Sequence, residues 1–383
     1  MANTFLTPSV VGREALMILE NNLVAAGLFH RGHTSEFTGA KVGDTITVRG
    51  PASFTAQEFT SSVTVQDATE SSTSLQLEKH FDVTFAVTAK DWTLELGDFS
   101  KQLLEPAVAA IAQGIDAYAL DKYVEIPTQI GTAGDPPDSL AEVAAIDQQL
   151  NEQQVPLANR FAIMNPQAKA DLYSIASFAQ AEQRGDGGQA LRDANMGRFM
   201  GMDFYMSQNI NTHTSGTLTN GTAMLAKIND ASVAVGDTSV PMDDSSLSGT
   251  VVEGDIFTVA GDTTQYRVTG TVTASGNALA SVGFAPAAKV AWADNAVVTF
   301  DINGVASTSY VTNIAGHPNG LTLAIVPLEL PSGAARSQYV GDRGLGLRVV
   351  FDYNSTTKTD QISIDVLCGA KVQHPEMLTR IVG

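Results

Sequence analysis

Only one cysteine, Cys368, stands in the 383 residues. It cannot close an internal disulfide, which fits synthesis and residence in a reducing cytoplasm. In that compartment the sequons at Asn220 and Asn354 have no use. Charge is also scarce: 16% of residues are charged, against about 25% in an average soluble domain. Basic residues are the scarcer kind, 22 Lys and Arg against 41 Asp and Glu, for a net charge of −19. This balance argues against sequence-independent binding to nucleic acid, which relies on Lys and Arg neutralising phosphates. Long apolar runs are missing too. The most apolar helical stretch, LLEPAVAAIAQGIDAYAL, is interrupted by Glu105, Gln113 and Asp116, whereas a membrane span needs about 18 apolar residues in succession. No membrane association is expected. The start of the chain, MANTFLTPSVVGREALMILENN, has no basic leader and carries Glu14 and Glu20, so no signal peptide is expected.

Chemistry-bearing motifs are equally sparse. The nucleophile elbow, the phosphate-binding P-loop, the dinucleotide fingerprint and the H-E-x-x-H zinc motif are all absent. His30 and His33 have a spacing that could present two imidazoles to a metal, but Glu36 is the one further ligand nearby, and the stretch reads as a polar loop. Cys368 sits in the strand-like SIDVLCGAKV and reads as a buried, inert thiol. The RGD tripeptide at Arg184 to Asp186 lies in a glycine-rich connection. Asp243 with Asp244 and Glu253 with Asp255 could bind calcium or hold acid/base roles, but acidic turn residues are expected in so acidic a chain. Arg49 and Arg267, set among Thr and Val, read as structural or contact charges. The expectation is a protein that is not an enzyme, with no catalytic, metal-binding or cofactor-binding residues and no cofactor.

What remains is architecture. With 44% hydrophobic residues the chain can bury a large core, divided into two or three domains. A surface low in charge and rich in Thr, Ser and Ala suits a chain covered by other subunits. Near the start, Leu16, Leu19, Leu23 and Val24 mark an amphipathic helix with Gly27 as its stop. Lys41 to Ser72 follows as an extended arm. In it Ile46 and Val48, then Val63 and Val65, alternate with polar residues, while Phe54 and Phe59 are its only large aromatics. A two-stranded arm of this kind is marginal in water and needs another surface to pack on. Leu75, Leu77, Phe81, Val83, Phe85 and Val87 then show strand alternation with a register break near Lys79 and His80. A long helix from Asp98 to Tyr123 carries Val108, Ile111, Ala112, Ile115 and Tyr118 on one stripe, with Pro106 either kinking it or beginning its main part. Ser139 and Glu142 form a capping box opening the next helix, Arg160 to Met164 is a buried strand, and Asn165-Pro166 starts another helix. A strand follows at Asp203 to Met206. These alternations describe an α+β fold.

At about Asn209 the composition changes. Up to Gly320 helical patterns give way to short Val, Thr and Phe runs broken by Gly, Asp and Asn, the signature of a small antiparallel barrel or sandwich. Its candidate core residues are Val233, Val235, Phe257, Val259, Tyr266, Val268, Val297, Val298 and Phe300, and PAAKVAWAD is a helix-compatible exception. The resemblance of VGDTITV to EGDIFTV is explained by turn chemistry without an internal repeat. A β-module is thus inserted into an α+β chain.

In order, these pieces resemble tailed-phage major capsid proteins of the Hong Kong 97 fold, in the branch typified by the short-tailed temperate phage of Salmonella. TPSVVGREALMILENNL and KVGDTITVRGPASF look like the start of such coats, LLEPAVAAIAQGIDAYAL like their spine helix, and MGRFMGMDFYMSQNI like the axial strand entering the insertion. GDIFTVAG with YRVTG resembles the inserted barrel. HPNGLTLAIVPLELPSGA and LRVVFDYNSTTKTDQISIDVLCGAKVQHPEMLTRI resemble the closing strands. The outer loops of the insertion, such as GDTSVPMDDSSLSG, depart from the pattern.

The resemblance implies a coat subunit with an N-terminal arm at 1–34, an extended loop at 35–74, a peripheral domain with the spine helix at 75–126, and a first axial part at 127–210. An inserted barrel at 211–320 and returning strands at 321–383 complete it. It implies inter-subunit contact through Arg49, Phe54 and Phe59 and spine-helix packing through Val108, Ile111, Ile115 and Tyr118. The implied partners are further copies in pentamers and hexamers, a scaffolding protein and a portal. The shell would enclose double-stranded DNA without sequence-specific binding, assemble in the host bacterial cytoplasm as a precursor and then expand into the virion capsid. Some shells of this fold are locked by isopeptide bonds from an extended-loop lysine. Residues 50–70 contain no lysine, so a noncovalent shell is expected. The alternatives are a cellular nanocompartment shell of the same fold, and a secreted β-rich adhesin or hydrolase, which the missing leader and the long helix disfavour.

Overall fold

The computed structural model describes residues 8–32, 45–49, 56, 58, 65, 72–88, 100–180, 194, 196–221, 223–300, 306–326, 328–334, 336–342 and 344–383. The chain divides into two compact units. One comprises Met1–Leu23, Arg31–Ile115 and Thr322–Gln373, and the other Val24–His30, Asp116–Leu321 and His374–Gly383.

The first unit is built on a five-stranded sheet. Its order runs Leu321–Val326, Thr359–Val372, Leu345–Asn354 and Arg336–Asp342, with Lys79–Thr88 also pairing with Thr359–Val372. Alternation fixes which face is covered. Phe81, Val83 and Phe85 oppose Val366, Ile364 and Ile362 in the register, and those three are buried. The helix Pro8–Asn22 buries Val11, Ala15, Leu16 and Leu19. Gly12 brings its backbone so close to the sheet that a Cβ there would sit 2.5 Å from Val340 Cγ2. The expected register break falls at Leu77 and Glu78, between the strands Ser72–Gln76 and Lys79–Thr88.

The first helix ends at Asn22, and Gly27 lies inside a separate short helix, Ala25–Leu28, rather than stopping the first. The cause is a side chain distant in sequence. Buried Asp116 accepts the N–H groups of Val24, Ala25 and Ala26 at 2.8, 3.3 and 2.8 Å, restarting a turn that local sequence did not announce. Burial raises the Asp116 carboxyl above its usual range, against the pull of these three bonds.

The long helix begins as a π-turn at Ser100–Leu104, runs as an α-helix over Glu105–Asp121 and closes as a 3₁₀ turn at Lys122–Glu125. Pro106 thus stands in the first turn of the α-helical main part, directly after the π-turn. By length and composition the helix could cross a membrane, but more than half of its apolar window is buried inside the protein.

The second unit has a seven-stranded mixed sheet. Its order is Gln129–Gly131, Leu378–Val382, Ser309–Gly316, Arg160–Met164, Met202–Met206 and Arg198–Phe199, with Thr212–Thr214 also on Ser309–Gly316. Arg160–Met164 runs parallel to Met202–Met206. The helix Leu140–Glu152 carries the Ser139–Glu142 capping box, and Pro166–Leu172 opens with the Asn165 side chain accepting from Ala168 N–H at 2.9 Å. Val143, Ile146, Leu150, Leu172 and Phe178 pack with Ala162, Met164 and Ile381 over the sheet.

The other layer of this unit is a closed six-stranded barrel. Its order is Ser239–Asp243, Ala278–Ala285, Tyr266–Val268, Ile256–Val259, Val297–Phe300 and Leu225–Ile228. Closure removes the exposed edges that short strands otherwise offer. Phe257, Tyr266, Phe284, Trp292 and Phe300 form an aromatic cluster inside it, with Phe257 and Phe300 centroids 5.4 Å apart. Val235 and Val297, read as core from the sequence, are 64% and 41% exposed. Val297 shares a strand with buried Val298 and so faces the other way. PAAKVAWAD forms no helix. Its backbone is claimed elsewhere: Ala288 N–H donates to Asp237 O, Lys289 N–H donates to the Tyr266 hydroxyl, and Trp292 pairs with Val233.

Candidate functional site

Of the residues expected to make subunit contacts, Phe54, Phe59 and the Arg49 side chain lie outside the described residues, as do His33 and the RGD tripeptide. The base of the arm is described. Thr45–Arg49 pairs antiparallel with Ser72–Gln76, Thr45 opposite Gln76 and Arg49 opposite Ser72. The partner strand is therefore not the run around Val65, which stands 86% exposed outside any strand. Ile46, Val48 and Leu75 are buried against Ala324, so this end of the arm packs on its own chain. Val108, Ile111, Ile115 and Tyr118 are all buried in the long helix. A Cβ on Gly114 of that helix would lie 3.1 Å from the Phe81 ring.

The densest polar arrangement is one the sequence did not flag. Within the second unit Tyr123, His213, Asp255 and Arg380 meet where the barrel joins the seven-stranded sheet. Asp255 is 1% exposed and accepts the N–H groups of Gly216 and Val252. His213 Nε2 lies 3.0 Å from Asp255 Oδ1, and the Tyr123 hydroxyl lies 3.1 Å from His213 Nδ1. With Asp255 accepting throughout, His213 donates from Nε2 and accepts the Tyr123 hydroxyl's hydrogen bond at Nδ1. Arg380 is fully buried. Its guanidinium donates to Gly254 O at 2.6 Å and Val124 O at 3.3 Å, with its charge 5.5 Å from the Tyr123 ring centre. Burial pushes the Tyr123 hydroxyl up to about 12 and pulls Arg380 down to about 10. Arg267 is likewise lowered by burial and held up by Glu125 and Glu253.

This order of tyrosine, imidazole and carboxylate has the connectivity of a proton relay. Its members are at most 6% exposed, so no substrate reaches them and the relay serves as a joint. A second tie lies at the sheet's edge. Gln129 N–H donates to Gln265 Oε1 at 2.6 Å and Gln265 Nε2 donates back to Gln129 O at 3.0 Å, so a barrel side chain takes the place of a neighbouring strand. Beside it opens a cleft of about 660 Å³ lined by Thr128, Gln149, Gln153, Thr264, Gln265 and Lys289 among others.

The remaining sequence candidates resolve into structural roles. Asp244 is held by Ser245 N–H, Asn220 and, at 3.6 Å, Lys227. These contacts lower its carboxyl, the Ser245 N–H most. Cys368 is buried and its thiol pushed up to about 12 by that burial. His30 uses its backbone N–H to reach Pro318 O and Leu321 O. Among the described residues no group of three potential metal ligands comes together. Sequence reasoning missed the joint because Arg380 looks like one charge in an ordinary strand and Asp255 like one of many Gly-Asp turns. The available signal was a lone arginine between Leu378 and Ile381, in a strand whose residues are all buried.

No protein-family model and no curated protein matches the sequence. Solved structures do. A structure from Mycobacterium phage Che8 is 13% identical, with 94% of this chain and 90% of that chain covered and a TM-score of 0.53. The capsid of Ralstonia phage GP4 is 8% identical over 89% and 83% of the two chains, with a TM-score of 0.47. The mature capsid of bacteriophage PhiM1 is 10% identical over 88% and 82%, with a TM-score of 0.45. The Che8 likeness, running nearly the length of both chains, shows that this mixed α+β chain shares the fold of that phage protein.

Proposed function

We propose that this chain is the major capsid protein of a tailed phage, self-assembling as pentamers and hexamers into the icosahedral shell around the genome. The observation that carries the reading is the fold shared with the Che8 structure over 94% of the chain. The sparse charge and the absence of catalytic motifs support it. The reading places the arm at 1–34, the extended loop at 35–74, the peripheral domain with the spine helix at 75–126, the first axial part at 127–210, the inserted barrel at 211–320 and the strands returning to the axial and peripheral domains at 321–383, as in the coat of the short-tailed Salmonella phage.

In this account Arg49, Phe54 and Phe59 reach a neighbouring subunit, where each Phe would contribute about 1.5–3 kcal/mol if fully covered. The buried stripe Val108, Ile111, Ile115 and Tyr118 is the rigid spine. Several weak contacts closed at once hold a subunit through effective concentration. Double-stranded DNA is enclosed without being bound by sequence, a scaffolding protein guides a precursor shell, a portal occupies one vertex, and expansion yields the virion. With no lysine in residues 50–70, mature particles run as a single monomer band on denaturing gels.

The test is negative-stain microscopy of the protein expressed alone and with its neighbouring genes, followed by mass spectrometry of purified particles. Shells containing DNA, a scaffold and a portal are expected. Shells enriched in a single enzyme would replace the virus reading with a nanocompartment, and a protein that stays dispersed under both conditions would overturn both.

A further inference from the structure

Several strand edges in this protein are protected. The barrel is closed, Gln129–Gly131 is met by the Gln265 amide, Arg198–Phe199 is only two residues long, and Lys79–Thr88, on the other edge of the five-stranded sheet, opens on Lys79. Arg336–Asp342 differs. It ends the five-stranded sheet, it is seven residues long, and among the described residues no strand pairs with its outer side. Its register with Leu345–Asn354 runs unbroken from Arg336 opposite Phe351 to Asp342 opposite Leu345. The usual protections of an exposed edge are proline, charged side chains and lysine above all, a bulge or shortness. The sequence RSQYVGD has no proline, lysine or bulge, and its two charges, Arg336 and Asp342, stand at its ends. An edge left regular and open is a template for another strand.

The sequence of the edge says which strand. Turned antiparallel against a second copy of itself about Tyr339, Arg336 falls opposite Asp342, Ser337 opposite Gly341, and Gln338 opposite Val340. Positive ends thereby meet negative ends twice, and the two Tyr339 residues face each other at the centre. Positions equally spaced about Tyr339 have the same parity, so the outward backbone groups of both copies come into phase together. Tyr339 already lies over Gly346 and Gly341, where a Cβ would meet its hydroxyl, so its ring is held on one face of the sheet and leaves the edge open. The helix Pro8–Asn22 packs through Gly12 onto Val340, on the other face.

We propose that Arg336–Asp342 is a two-fold pairing edge, joining the five-stranded sheets of two copies of this chain into one continuous antiparallel sheet with Arg336 of each copy opposite Asp342 of the other. This extends the shell reading by assigning one of its contacts. It requires only that copies meet, so it can fail while that reading stands.

The test uses full-length protein assembled as particles and, separately, as soluble subunits. Tyr339→Cys places one thiol at the centre of the proposed pairing, where opposed Cα atoms fall within disulfide range. Native Cys368 is buried and does not compete. Oxidation should give a disulfide dimer on non-reducing gels, while Thr84→Cys on exposed strand Lys79–Thr88 should stay monomeric. In parallel, Arg336→Lys treated with a carbodiimide should yield a cross-linked peptide joining position 336 of one copy to Asp342 of another. Arg336→Asp and Asp342→Arg should each lower the Tyr339→Cys dimer yield about two- to tenfold, and the double swap should restore it. Particles that form normally but give neither the disulfide dimer nor the 336–342 cross-link overturn the pairing and leave the shell reading intact. Dimers whose yield ignores the charge reversals overturn the register.

Discussion

His213 Nε2 stands 3.0 Å from Asp255 Oδ1, both side chains almost wholly out of solvent, at the point where the barrel meets the sheet. The same carboxylate receives two backbone N–H groups, and the same imidazole receives the Tyr123 hydroxyl. Each bond is ordinary, but removing the shared acceptor strands three buried donors at once. Asp255→Ala should therefore cost about 3–5 kcal/mol of stability. Chemical denaturation of the whole chain checks this. A loss within about 0.5 kcal/mol, the range of an ordinary surface change, would mean the joint is not a joint.

Much of this architecture is legible before any coordinates. The capping box at Ser139 and Glu142, the Asn165-Pro166 helix start and the buried stripe of the long helix each announce themselves within a few residues, because caps and periodicity are local physics. Apart from Val297, turned outward by the alternation of its own strand, the chief misreadings are long-range. Asp116 restarts a helix ninety residues earlier in sequence. Tyr266 and Asp237 take the backbone donors that would have made PAAKVAWAD helical. The partner of Thr45–Arg49 lies at Ser72–Gln76, past the more regular-looking run around Val65. The joint of Tyr123, His213, Asp255 and Arg380 draws on four separated segments, and Arg380 alone, set between apolar strand residues, carried a local signal.

The buried core of the barrel is drawn from Leu218 through Phe300, with Ala306 packed against it, so the module carries its own apolar interior. A fragment of 211–320 should fold alone, with dispersed amide resonances and a cooperative melt. Its two flanking strands, Thr212–Thr214 and Ser309–Gly316, pair with each other but belong to the seven-stranded sheet, and should be the least protected part of the fragment. A fragment with collapsed amide dispersion and no transition would contradict the self-contained core.

Stability of the barrel should fall in acid through Asp262. Burial works against its ionised form, but hydrogen bonds from Tyr266, Thr264 and Trp292 outweigh burial and hold the carboxyl below the ordinary 3.8. A carboxyl lowered on folding adds stability above its unfolded value and loses it as pH falls through the folded one. Melting curves of wild type and Asp262→Asn should thus differ at neutral pH and converge as pH drops below about 3.8. A constant gap at every pH would remove Asp262 from the acid response.

Cys368 should be silent in the native state. Its thiol is buried and pushed up to about 12, so almost no thiolate forms near neutrality. Labelling with a neutral thiol reagent should follow the unfolding rate, and addition of denaturant should release one reactive thiol per chain. Rapid labelling of the folded protein would show that the strand Thr359–Val372 opens on its own.

The central claim, that many copies of this fold close into a shell, is tested most directly by electron cryomicroscopy of particles purified after expression with the neighbouring genes. The account predicts icosahedral shells whose repeating unit is this chain, with both its sheets and its closed barrel visible in each subunit. Discrete small oligomers, or shells built from another protein with this chain absent from the wall, would contradict it.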